Sequence, residues 1–320
     1  MSKFCFFFVI LHSVKMADEL QKSWLRAERG FRTYLTVERG MAGNSVASYL
    51  NDFQHLARLG LELGLEPTAL DADHLRGLID RLCDLGIAVT TQCRMISGWR
   101  MFFHWLELED EAADNPAELL TMPSRPKHLP DVLTDADVTA IQETFDLSLP
   151  DQMRNYVMVE ILYGCGLRVS ELVGLRLSGI YASDLSLRVV GKGDKERWVP
   201  VNERAMQLLM LYVETVRCHI NPKPGEDKYV FLSRLGRHIT RNYVFMFLKD
   251  AVAKAGIGKQ VSPHSLRHSF ATELVQNGAD LRAVQEMLGH ESITTTEIYT
   301  HLNDRTLRET IDTYHPHYRK

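Results

Sequence analysis

Six side chains able to hold or activate a phosphate stand at the ends and turns of the elements expected for this 320-residue chain. Arg168 opens a helix after a GCG turn, with Glu171 three residues later, and Lys192 lies between Gly191 and Gly193. His264 and Arg267 share one opening helical turn; His290 follows Gly289, and Tyr299 lies nine residues beyond it. Each alone has an ordinary reading: a surface ion pair, a solvated hairpin lysine, a capped helix end, a core tyrosine. Together they satisfy one reaction. Two guanidinium groups can hold the two non-bridging oxygens of a phosphodiester through forked, charge-assisted hydrogen bonds. A tyrosine hydroxyl can attack phosphorus, but its unperturbed pKa of about 10 calls for a proton acceptor and a positive field. His264 and His290 suit those roles. The leaving ribose oxygen needs a proton, which a lysine on a hairpin tip can deliver. Arginines then supply the charge stabilisation that a metal ion supplies elsewhere.

These groups need helices and one hairpin to position them. Ser262 followed by Pro263 reads as a serine cap with proline at the first helical position. The stretch LSLRVVGKGDKERWVPV alternates apolar and polar residues on both sides of GKGD, which predicts a hairpin. Helices are expected around 151–163, after the GCG turn, at 203–219, at 240–255 and from 263 onward, and Thr134 with Asp137 forms a capping-box pattern. From 17 to 106 the pattern is helical throughout, with about four helices. Val46, Tyr49, Leu50, Phe53, Leu56 and Ala57 mark one apolar face there. The acidic stretch 107–118 reads as a solvated connector, and prolines 123, 126 and 130 as an extended linker. The expected division is a helical domain over 16–118, a linker over 119–130 and a mixed domain over 131–320. The fold class is mainly α with a small β-hairpin or sheet (α+β) in the second domain.

Composition sets the outer bounds. A chain 45% hydrophobic and 24% charged is that of a soluble globular protein. The five cysteines, at 5, 83, 93, 165 and 218, include no CxxC pair, which argues against a disulfide framework or zinc ribbon and for a reducing cytosol. The formal net charge is −4, with 12 Lys and Arg against 17 Asp and Glu over 16–130, and 23 against 24 over 131–320. A nucleic-acid footprint must therefore be local. Arg237, Arg241, Lys249, Lys254 and Lys259 against Asp250 offer one, and a helix starting near Thr240 directs Arg241 at a groove or phosphate. Arg94 and Arg100 are the candidates in the first domain. FCFFFVIL at 4–11 is too short to span a bilayer and is followed by no small-residue cleavage site. Residues 1–15 are read as a non-native or mis-assigned leader, with Met16 as the expected start.

GLRVSEL, VVGKGDKERWVPV, SPHSLRHSFAT and LGHESITTTEIYTHL, in this order, resemble the boxes of the tyrosine recombinases, the phage-integrase family. The likeness runs over nearly all of 17–317. It is strongest to the bacterial Xer recombinases, and the His315–Pro316 ending is similar to the XerD branch. The resemblance implies an active site of Arg168, Lys192, His264, Arg267, His290 and Tyr299, with Tyr299 the nucleophile and Glu171 helping to place the first arginine. Lys195 is the nearest rival to Lys192, but the position between glycines fits the family lysine better. The implied architecture is a two-domain C-shaped DNA clamp, with a SAM-like core-DNA-binding domain before the catalytic one. The implied reaction forms a 3′-phosphotyrosine, releases a 5′-hydroxyl and passes through a Holliday junction in a synaptic tetramer, without ATP, metal or cofactor. Its implied setting is chromosome-dimer resolution at a dif-like site during cell division, in the cytoplasm and away from the membrane. The implied partners are double-stranded DNA with paired recombination sites, an XerC-like second recombinase in a heterotetrameric complex, and an FtsK-like septal DNA translocase.

Three other readings compete. A zinc hydrolase using His264 and His268 lacks the glutamate of an HExxH pattern, and Arg267 between them repels a cation. A relative that only binds or bends its site predicts loss of the tyrosine or an arginine, and all are present. An integrase or resolvase of a mobile element or plasmid shares the same boxes. Beyond Tyr299, Leu302, Leu307 and Ile311 give a final helix an apolar stripe; it is expected to dock on a neighbouring protomer, with packing on its own domain as the alternative.

Overall fold

Apolar residues at helical spacing gather around two separate cores, and the chain divides into two compact units, Met1–His128 and Leu129–Lys320. The computed structural model describes residues 3–123, 132–191, 195–289 and 309–316, with the backbone alone for 3–15.

The first unit is built on helices α1 (Lys3–Thr33), α2 (Gly43–Leu63), α3 (Ala72–Asp84) and α4 (Val89–Leu108), the four that periodicity predicts. Helix α1 runs back through the apolar segment to Lys3 instead of beginning at Met16. The predicted α2 face is inward: Val46, Leu50, Phe53 and Leu56 are buried, with Tyr49 and Ala57 packed against them. Phe102 of α4 stands at its centre, edge-on to Phe53 at 4.8 Å and to Phe31 at 5.3 Å. Such aromatic edges add to the apolar burial that holds the helices. The stretch 107–118 is not wholly the solvated connector expected. Asn115 and Ala117 are buried, because Asn115 donates to the Arg100 carbonyl at 3.0 Å and the segment folds back onto α4.

In the second unit, α5 (Asp135–Glu143) opens with the predicted reciprocal box between Thr134 and Asp137. Helix α6 (Pro150–Cys165) is apolar on most sides, as a central helix must be; it packs against α8 (Glu203–Thr215) and α10 (Pro263–Gln276). Among the described residues up to 289, the further α-helices are α7 (Val169–Val173), α9 (Arg241–Lys254) and α11 (Leu281–Leu288). Three antiparallel strands, β1 (Ile180–Tyr181), β2 (Ser186–Val190) and β3 (Glu196–Pro200), lie in sequence order. The predicted hairpin is β2–β3, with Val190 opposite Glu196 and Ser186 opposite Pro200. Strand β1, two residues long, is too short to show alternation. The buried Arg154 on α6 fixes the start of α9, donating to the Tyr243 hydroxyl at 2.6 Å and to the Leu232 carbonyl at 3.0 Å.

The final described residues, 309–316, include a short helix at 309–314. Ile311 is 1% exposed within this unit's own core, and His315 lies against the Tyr163 ring at 4.8 Å. For Ile311, the expected docking on a neighbouring protomer is therefore corrected: its own unit buries it. Leu302 and Leu307 lie outside the described residues. Among the described residues, no helix is long and apolar enough to cross a membrane.

Candidate active site

The site begins where α6 stops. Gly166 ends that helix with φ +60°, and a Cβ there would overlap the Phe270 ring of α10, so only glycine lets the chain turn so close to α10. The turn delivers Arg168 to the N-cap of α7, where its backbone N–H donates to Glu171 Oε2 at 2.8 Å. Glu171, which the resemblance implies helps to place Arg168 and whose ordinary reading is a helix-surface ion pair, is 2% exposed.

Three arginines surround that carboxylate. Arg168 Nη1 donates to Oε1 at 2.9 Å; Arg197 of β3 reaches both oxygens, with Nη2 at 2.9 Å from Oε2; Arg267 Nη1 of α10 lies 3.9 Å from Oε2. Burial alone would push the Glu171 carboxyl up, but the hydrogen bonds and charge of Arg197, followed by those from Arg168, hold it below the usual range. The Arg267 guanidinium is drawn down to about 10 by burial and then by Arg168, so it stays cationic at neutral pH. Three guanidiniums against one carboxylate leave two net positive charges in the cluster. Arg168 is its open face: its side chain is 35% exposed, against 12% for Arg197 and 10% for Arg267.

The same arginines hold the end of α11. Arg197 Nε donates to the Met287 carbonyl at 3.3 Å, Arg267 Nη2 to Leu288 at 2.6 Å, and Arg168 Nη2 to Gly289 at 3.1 Å. Three successive carbonyls at a helix C-terminus carry partial negative charge, and each meets a cation. Gly289 closes α11 with φ +63°, and a Cβ there would lie 3.0 Å from Arg197 Cδ. Arg267 Nη1 also donates to the Gly166 carbonyl at 2.7 Å, tying the two glycine turns together.

Of the residues the sequence singles out, the structure brings together Arg168, Glu171 and Arg267. His264 is exposed in the first turn of α10, which Ser262 caps in the predicted way with Pro263 at the first position. Lys192, His290 and Tyr299 lie outside the described residues. The residue before Lys192 is at the cluster, since a Cβ on Gly191 would lie 3.6 Å from Glu171 Oε1. The residue before His290 is Gly289, held by Arg168. Gly191 also donates to the Lys195 carbonyl at 2.8 Å, closing the hairpin below its tip. Arg197 is the residue that sequence reasoning missed. Strand alternation was the available signal: Arg197 lies opposite the buried Val189 and shares its face with Val199.

The four further basic candidates separate into two pairs. Arg94 is bound to the buried Asp52 carboxylate at 2.5 Å, and Arg100 donates to the Ala117 and Leu120 carbonyls at 3.0 and 2.8 Å. Both are held within their own unit. Burial raises the Asp52 carboxyl, with Arg94 pulling the other way. Arg237 and Arg241 are exposed and have no ion pair among the described residues, and Arg241 is the first residue of α9, capped by Thr240. Lys254 and Lys259 are taken up by Asp250 and Asp137 at 2.8 and 2.6 Å.

Comparison with known proteins gives the family. Residues 131–306 match the phage integrase family, and residues 29–110 match the phage integrase N-terminal SAM-like domain. The chain is 38% identical to a tyrosine recombinase XerD of Chlorobaculum tepidum over 302 residues, 93% of this chain and 99% of that protein. It is 36% identical to a tyrosine recombinase XerD of Listeria monocytogenes over 288 residues, 89% of this chain and 97% of the relative. The fold is shared with XerH site-specific recombinase bound to a palindromic difH substrate, at TM-score 0.66 and 20% identity over 92% of this chain and 96% of the other. The chain belongs to the phage integrase family of tyrosine recombinases, enzymes of site-specific DNA recombination. Within that family its likeness is to the XerD recombinases.

Proposed function

We propose that this protein cuts and rejoins DNA strands through a 3′-phosphotyrosine on Tyr299, at paired sites used to resolve chromosome dimers. The observation that carries the reading is the surplus of two positive charges around Glu171, open to solvent at Arg168. A phosphodiester is the anion whose two non-bridging oxygens suit Arg168 and Arg267. In the transition state negative charge spreads over those oxygens, and preorganised guanidiniums stabilise it without reorganising.

The reaction balances without an external energy source. The Tyr299 oxygen attacks phosphorus and its proton passes to a histidine, His264 or His290. The bond from phosphorus to the 5′ oxygen breaks, and Lys192 protonates the departing oxygen. The 5′-hydroxyl so formed attacks the phosphotyrosine of the partner strand, which restores the DNA backbone and the tyrosine. Arg241 and Arg237, exposed at and before the start of α9, contribute phosphate contacts outside the reacting centre.

What supports the setting is the likeness to XerD proteins over about nine-tenths of the chain. In this reading the cooperating protomer is an XerC-like recombinase, strand exchange is licensed by an FtsK-like translocase, and the work is done in the cytoplasm. The test is a supercoiled plasmid carrying two directly repeated dimer-resolution sites from the source chromosome. With the XerC-like partner and the FtsK-like translocase with its ATP added, two smaller circles are expected, and little product with this protein alone. Full exchange by this protein alone, on sites flanking a mobile element, would instead favour an element integrase.

A further inference from the structure

Glu171 presents a difficulty that Arg168 and Arg267 do not resolve between them. A buried carboxylate next to two guanidiniums cancels one of their charges, and the attraction is strong where water is excluded. Arg197 changes that balance. It reaches both Glu171 oxygens from β3, and its Nε holds the Met287 carbonyl at 3.3 Å. The αL turn at Gly289 packs onto its stem. One side chain thus joins the foot of the hairpin, the carboxylate beneath Arg168 and the last turn of α11.

We propose that Arg197 is a positioning residue for strand cleavage: it takes up the Glu171 charge and fixes the end of α11, so that Arg168 and Arg267 meet the DNA phosphate with their charge unspent. The inference rests on Arg168 and Arg267 being the pair that holds the phosphate. Lysine is a poor substitute, because one ammonium cannot present a planar fork to the carboxylate and a third N–H to a carbonyl. The charged groups facing Glu171 are Arg168 from α7, Arg197 from β3 and Arg267 from α10. Without Arg197, burial works against two of these cations instead of three. The carboxyl then takes up a proton at higher pH and ceases to accept from Arg168.

The experiment compares full-length wild type, Arg197→Ala and Arg197→Lys in single-turnover cleavage of a nicked half-site, with enzyme saturating the DNA. Arg197→Ala is expected to cleave roughly 10- to 100-fold more slowly, the scale of a small misplacement of reacting groups. Its DNA affinity should stay within about twofold of wild type, since most phosphate contacts are elsewhere. The acid limb of its pH–rate profile should move to higher pH. Guanidinium ion at a few tens of millimolar should restore part of the rate, where equal sodium chloride does not, and Arg197→Lys should be intermediate. A merely weakened fold responds oppositely, because guanidinium destabilises it. Cleavage by Arg197→Ala within twofold of wild type overturns the inference, as does a slow variant that guanidinium slows further with its acid limb unmoved. Absence of cleavage in wild type contradicts the phosphotyrosine reading itself.

Discussion

Arg168 donates to the carbonyl of Gly289 at 3.1 Å, a bond between residues 121 apart in the chain. It joins the second residue after the GCG turn to the residue before His290, and Arg168 is also the most exposed of the three clustered arginines. Replacing Arg168 or Arg267 by alanine should therefore cost chemistry far more than binding. We expect single-turnover cleavage to fall by about 100- to 1,000-fold, or about 3–4 kcal/mol of transition-state stabilisation. Site affinity by gel shift should change little, because many phosphates remain held.

Glu171 makes stability depend on pH in a defined direction. Its folded pKa lies below the ordinary value of 4.5, so its contribution is complete above that value and is lost as pH falls through the folded pKa. Thermal melting of the wild type should decline on acidification below the ordinary carboxylate range. Glu171→Gln should already be destabilised at pH 7, by about 3–5 kcal/mol, since the buried Arg267 and the partly buried Arg168 and Arg197 lose their counter-charge. Its melting should lack the acid-dependent loss due to Glu171. A wild-type and variant pair with parallel pH profiles would contradict this assignment.

The end of the chain should behave as core. Ile311 is 1% exposed within the second unit, so Ile311→Ala should cost about 2–5 kcal/mol in urea unfolding. Asn277 Nδ2 also donates to the Tyr314 carbonyl at 2.8 Å, so deleting 309–320 removes packing and a hydrogen bond together. The truncated protein should melt earlier even as an isolated monomer. Unchanged monomer stability would return Ile311 to an intermolecular role.

Arg241 and Arg100 should differ in kind. Arg241→Ala should weaken DNA binding and reduce the slope of log affinity against log salt by about 1, as expected for one lost phosphate contact. Arg100→Ala should leave the slope unchanged and lower the stability of the first unit, because its guanidinium holds the Ala117 and Leu120 carbonyls. Salt titrations of both variants separate the two roles.

Local rules carried much of the fold. Ser262 with Pro263, Thr134 with Asp137, and the alternation around GKGD are short-range signals, and α10, α5 and the β2–β3 hairpin stand where they point. The site was legible as residue types at turns, which is why Arg168, Glu171 and Arg267 could be named together. Burial was not legible. A helix-surface reading of Glu171 is the ordinary one for an i,i+3 ion pair, and only the packing of β3 and α10 over it makes it a buried counter-charge. Arg197 escaped notice because its partners lie 26 and 90 residues away. The solvated reading of 107–118 failed for a similar reason, since Asn115 finds its partner back on α4.

The central claim is that Tyr299 becomes covalently joined to DNA. A nicked half-site whose cleaved fragment diffuses away should trap the wild-type protein on a 3′ phosphate, with peptide mapping placing the phosphate on Tyr299. The adduct should form in excess chelator, and Tyr299→Phe should bind the same DNA without forming it. An adduct of undiminished yield in Tyr299→Phe, or one abolished by chelator, would contradict the account.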